Sequence, residues 1–167
     1  MIGNIRLATD AEIGALLADP PRVEEFLYGE DGELEPPDDV HLELDKSWHG
    51  IHFLLTGEAW SGTPPLDFIV SGGRPVGDED VGYGPARAFS SAEVARVAAA
   101  LDPITAERLR ERFDGQRMVR AEIYPEIWAR DPADDDTLGY LVEYFELLKP
   151  FVAQAAERQL GMLVYLN

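Results

Sequence analysis

From residue 2 to residue 8 apolar and polar positions alternate around Ile5 and Leu7, the pattern of a short half-buried strand. Thr9 to Glu12 then reads T-x-x-E, a capping box in which each side chain bonds the other's free backbone amide, so a helix is predicted from Asp10. Asp19-Pro20-Pro21 ends it, because a residue before proline is pushed out of the helical region. A second short helix over residues 23–28 stops at Gly29. In residues 44–57, LDKSWHGIHFLLTG, steps of about 100° per residue gather Leu44, Trp48, Ile51, Leu54 and Leu55 on one arc. An amphipathic helix is predicted there, with Gly57 as its left-handed cap.

Glycine and proline punctuate residues 58–84, which read as loop apart from a short element around 66–70. A strand is predicted over 86–89, and Ser90 with Glu93 forms a second capping box for a helix over 91–101. Asp102-Pro103 starts another helix, since proline suits a first turn. Residues 123–136 form a linker rich in aromatic and acidic side chains. Asp136 or Thr137 then opens a long helix with Leu138, Leu141, Val142, Phe145, Leu148, Val152 and Ala155 at helical spacing, kinked at Pro150 and closed by Gly161. MLVYL, residues 162–166, has the unbroken apolar character of a buried strand. No repeat or dividing linker interrupts residues 1–167. The expectation is one compact α+β domain, mostly helical with a small sheet, with a long C-terminal helix followed by a short C-terminal strand.

Composition supports a packed core, with 46% hydrophobic and 10% aromatic residues among 167. No apolar run is long enough to span a membrane, and the first twenty residues turn acidic without the basic and apolar regions of an export signal. The lack of cysteine removes disulfides, thiol nucleophiles and thiolate metal sites, and fits a cytoplasmic protein. Charge is the strongest global feature. Fourteen basic residues stand against 32 acidic ones, for a net −18 that repels nucleic acid and anionic membranes. Within EDGELEPPDD, residues 30–39, six of the ten residues are acidic and two are proline, so this is an exposed loop. It is either plain solvated surface or a docking site for a basic partner.

Three constellations could carry chemistry. On the predicted helix Asp45, His49 and His52 fall on one edge beside Trp48, which suits a metal site or an imidazole base oriented by a carboxylate. The spacing is not the H-E-x-x-H of zinc proteases, and a structural reading makes Asp45 a helix N-cap and the histidines boundary residues. No metal and no cofactor is expected. In VGYGPARAF, residues 81–89, a tight turn places Tyr83 near Arg87, offering a phenol and an arginine fork to an anionic or carbonyl ligand, or leaving Arg87 to a structural ion pair. In EIYPEIWARDPADDD, residues 122–136, the aspartates do not follow the spacing of a calcium loop. Tyr124 and Trp128 read there as an apolar anchor, with Asp134 to Asp136 complementing a helix dipole. No G-x-S-x-G, Walker loop or dinucleotide fingerprint occurs.

LDKSWHGIHFLLTG, GYGPAR with its S-x-E-V helix start, IYPEIW, and YFELLKPFVAQAAERQLGMLVYL together resemble the YfbM-like family of small bacterial proteins, in order and spacing over nearly the whole chain. The resemblance implies a compact α+β domain of uncharacterised function. It draws attention to Trp48, His49, His52, Tyr83, Arg87, Tyr124 and Trp128 as matching positions and brings no catalytic assignment. Two functional expectations follow. One is a non-catalytic module of the bacterial cytoplasm whose acidic surface engages a basic protein, as a toxin-neutralising immunity protein would. The other is a small-ligand binder or enzyme with a pocket formed by His49, His52, Tyr83, Arg87, Tyr124 and Trp128.

Overall fold

The computed structural model describes residues 1–167 as seven helices and five strands. β1 (Gly3–Ala8) leads through the Thr9 capping box into α1 (Asp10–Ala18), and α2 (Arg22–Tyr28) follows the Pro20-Pro21 break. β2 (His41–Asp45) and α3 (Trp48–Thr56) come next, then β3 (Arg74–Pro75) and β4 (Arg87–Phe89). The second half holds α4 (Ser91–Leu101), capped by Ser90 and Glu93 as predicted, then α5 (Ala106–Arg112) and α6 (Gly115–Arg120). Finally α7 (Thr137–Glu157) runs through Pro150, and β5 (Gly161–Leu166) closes the chain.

The strands form one antiparallel sheet in the order β2-β1-β5-β4-β3, so the first and last strands lie side by side near its middle. Both faces of β5 are covered. Met162 and Val164 join the main core with α3, α4 and α7, while Leu163 and Tyr165 point to a smaller core under α1 and α2. A strand covered on both faces cannot alternate, which is why MLVYL is unbroken in its apolar character.

Several expectations are corrected. The helix predicted from Leu44 begins only at Trp48, because Leu44 and Asp45 belong to β2, an edge strand paired to β1. Asp45 is therefore no N-cap; Ser47 holds that position without a side-chain cap. Nor is α3 amphipathic. Every residue from Trp48 to Leu55 is buried, since loops cover the side that a surface helix would turn to water. Residues 66–70 form turns, and so does Asp102-Pro103, the next helix waiting for the Thr105 cap. α7 ends at Glu157, before Gln159 takes a left-handed φ of 55°, so Gly161 starts the strand instead of closing the helix.

Close packing explains Gly3. A Cβ there would sit 2.6 Å from that of Trp48, so only a glycine lets β1 lie against the first turn of α3.

Candidate functional site

His49 and His52 are completely buried on the side of α3 that faces the loops. The Tyr124 amide N–H donates to His49 Nδ1 at 2.9 Å, which fixes the proton on Nε2, and Nε2–H donates to the Ala59 carbonyl at 2.8 Å. Both ring nitrogens are thus used by backbone groups. His52 Nε2 lies 2.9 Å from the Ser61 carbonyl and donates to it, leaving Nδ1 buried without a partner. Burial lowers the pKa of both rings, and that of His52 falls to about 4, so both are neutral near pH 7. The imidazoles staple loops 59–61 and 123–124 onto α3.

Aromatic rings complete this arrangement. The Trp48 ring is stacked on His49 with centroids 4.8 Å apart, and Tyr124 lies 6.0 Å from Trp48. Trp60, which the sequence reading left in an undifferentiated loop, packs 4.2 Å from the His49 ring while 58% exposed. Its signal in the sequence is a large aromatic stranded between glycines and prolines. Trp128 is buried, its Nε1–H donating to the Ile123 carbonyl, and its ring packs beside Gly50.

Asp45 lies away from the histidines. Its carboxylate accepts the Tyr140 hydroxyl at 2.8 Å, and the Lys46 amide donates to the same hydroxyl. Burial, together with this bond, raises the Tyr140 pKa. The Asp45–His49–His52 edge read from the sequence does not exist. A 95-residue separation hides the Asp45–Tyr140 pairing from any local pattern.

Arg87 and Tyr83 diverge. The Tyr83 ring is 58% exposed while its amide bonds the Leu166 carbonyl at the end of β5. The Arg87 guanidinium turns inward and donates to the carbonyls of Phe68, Ile69 and Gly72, clamping that turn. Burial lowers its pKa to about 10, against the opposing pull of Asp67, so it stays charged at neutral pH. The role is structural, but carbonyl oxygens serve as partners where an ion pair was expected. Of the seven residues singled out, the structure gathers Trp48, His49 and Tyr124 in mutual contact, buries His52 on the same helix and Trp128 against Gly50, leaves Tyr83 exposed, and turns Arg87 onto the 68–72 carbonyls, where its charge still acts on His52.

One open concavity is acidic. A cleft of about 580 Å³ lies beside α2 and the loop after it, walled by Glu24, Glu25, Glu30 and Asp31 with Tyr28 at its side. No basic side chain lines it. Tyr28 donates its hydroxyl to the Val81 carbonyl at 2.6 Å, and its pKa is raised by burial and by the neighbouring charges of Glu24 and Asp80.

Comparison with known proteins agrees with this architecture. The family described as "Domain of unknown function (DUF1877)" matches residues 1–165. A solved structure, "The Crystal Structure of a Protein of Unknown Function YfbM from Escherichia coli", superposes with a TM-score of 0.74 at 23% identity and covers 98% of both chains. Among curated proteins none matches. With its family matched over nearly the whole length, the chain belongs to the DUF1877 family, and the resemblance to YfbM-like proteins is borne out.

Proposed function

We propose that this member of the DUF1877 family is a binding module that receives a basic protein partner in the acidic cleft beside α2. One observation carries the reading: four carboxylates line a single concavity of about 580 Å³, with no basic side chain on its wall. The exposed loop that leaves the cleft adds Glu33, Glu35, Asp38 and Asp39. A net charge of −18 steers a cationic surface toward this end of the molecule, because unlike potentials attract over a Debye length before contact. The histidines support binding over catalysis, since both ring nitrogens of His49 are bonded to backbone groups and the unpaired Nδ1 of His52 is buried.

The test is capture of a basic partner from the native host by the wild type and by a Glu24→Lys, Glu25→Lys, Glu30→Lys variant. The wild type is expected to lose association rate by about tenfold or more between low and 0.5 M salt, and the variant to lose binding at either. Binding unchanged by both manipulations, or no basic partner at all, contradicts the reading.

A further inference from the structure

A second, smaller cavity opens between the 62–73 loop and α4, with a volume of about 170 Å³. Pro64, Pro65, Phe89 and Val97 supply apolar wall, and the Asp67 carboxylate reaches it from a residue only 7% exposed. Asp67 Oδ2 accepts the Ser71 hydroxyl over a long 3.3 Å, and Oδ1 accepts no hydrogen bond within the protein. No cation lies within ion-pair distance of it. Arg87, the charge whose field it feels, has its guanidinium turned onto the carbonyls of Phe68, Ile69 and Gly72.

A carboxylate with one weak bond retains most of its capacity to accept hydrogen bonds, and Oδ1, which is not cut off from solvent, can offer it to a group that enters the cavity. Gly72 keeps the carboxylate open: a Cβ there would come within 3.0 Å of Oδ1. At the rim Glu93 Oε1 and the Arg96 guanidinium are 3.9 Å apart and both well exposed. Glu93 and Arg96 balance each other at the rim, so Asp67 is the one carboxylate inside the cavity, with the Arg87 charge held behind it on the 68–72 turn. A dry cavity of about 150 Å³ accepts benzene, so this one takes a ligand of about six heavy atoms.

We infer that this cavity binds one ammonium or guanidinium group on a short apolar stem, the cation on Asp67 Oδ1 and the stem against Phe89, Val97 and the two prolines. The group comes either from a free amine or from a lysine or arginine side chain of a protein. The site is separate from the α2 cleft, so its success or failure is independent of the docking reading.

The experiment is a titration of the isotope-labelled protein with n-butylammonium, with butylguanidinium, with n-butanol as the neutral control, and with blocked peptides carrying one lysine or arginine. Saturable shifts of the Gly72, Gly73 and Phe89 amides are expected with the cations below about 10 mM, and none with butanol. Asp67→Asn weakens the response by about tenfold or more. Arg96→Gln, an exposed change that removes a competing positive charge without touching the core, strengthens it by about two- to fivefold and keeps the inference testable should the Asp67 variant unfold. Saturation by free amines alone identifies a small-molecule site, and saturation by the peptides as well identifies a side-chain site. Either supports the inference, whereas no localised shift with any cation, or equal shifts with butanol, overturns it. A Glu24→Lys, Glu25→Lys, Glu30→Lys protein should bind these probes as the wild type does.

Discussion

His52 shows how the fold sets the chemistry of a single residue. Its Nε2–H is used by the Ser61 carbonyl, its Nδ1 is buried and bare, and burial lowers its pKa from 6.5 to about 4. A folded pKa below the unfolded one means that the unfolded chain takes up the proton first as pH falls. Stability is therefore full above the unfolded value and declines between about pH 6.5 and 4. For His52 alone the linkage amounts to about 2 kcal/mol lost by pH 5. His49 and His41 shift in the same direction, also chiefly through burial, and add to the loss. The carboxylates of Asp10 and Glu12, held low by hydrogen bonds to Ser91 and Thr9, contribute stability that is lost at lower pH still. Denaturant unfolding at pH 7 and pH 5 measures this. His52→Gln, which can still reach the Ser61 carbonyl with an amide N–H, should lower stability less between the two pH values than the wild type does. Equal pH dependence in both proteins rules His52 out as the source. The histidines themselves were visible in the sequence as the polar edge of an apolar helix. Their use was not, because it depends on carbonyls and an amide supplied by loops up to 75 residues away.

The elements that could be read in advance carry their information locally. Both capping boxes, the long apolar repeat of α7 and the unbroken apolar run of β5 lie where expected because cap geometry and periodicity need no distant partner. β2, β3 and α6 escaped notice for the complementary reason. β2 is five residues at a sheet edge and acquires its identity from β1, while β3 has only two residues and exists through β4. Asp67 likewise becomes a buried carboxylate only once the 62–73 loop folds over α4, and nothing in its neighbours in sequence marks it. α3 was recognised as a helix but assigned a solvent side that the loops remove. Its burial on all sides makes Gly50 a test of the packing. A Cβ at position 50 would meet Leu141 Cδ2 at 2.7 Å and the Trp128 ring at 2.9 Å. Gly50→Ala raises helix propensity by roughly 1 kcal/mol, yet overpacking of this kind costs about 1–3 kcal/mol. The expected net outcome is destabilisation, read as a lower denaturation midpoint. A stabilised Gly50→Ala protein would show that Leu141 and Trp128 yield to the added methyl and that α3 is not tightly covered at this point.

At the scale of the whole molecule, the acidic charge is largely left to solvent. Of 32 acidic side chains, only Glu93, Glu111, Asp135 and Asp39 stand within ion-pair distance of a base, and all four pairs are exposed. Pairs of that kind contribute about 0–1 kcal/mol each, too little to offset the mutual repulsion of a chain at −18. That repulsion favours the expanded chain, in which the charges lie farther apart. Screening shortens its range from about 30 Å at 0.01 M salt to about 10 Å at 0.1 M. Sodium chloride should therefore raise the melting temperature, with most of the rise complete by about 0.15 M. Each 1 kcal/mol gained corresponds to roughly 2–4 °C in a domain of this length. Chloride is the right anion for the experiment, because sulfate strengthens apolar burial in any protein and would imitate the effect. Neutralising the exposed loop with Glu33→Gln, Glu35→Gln and Asp38→Asn removes charges that make no ion pair and should flatten the salt curve while raising the low-salt melting temperature. A melting temperature that is flat or falls over the same range of salt means that the acid is dispersed well enough to cost the fold nothing. The docking reading would then lose the concentrated field on which it depends, because the acidic charge proposed to steer a basic partner toward α2 is the same charge that would strain the unbound protein.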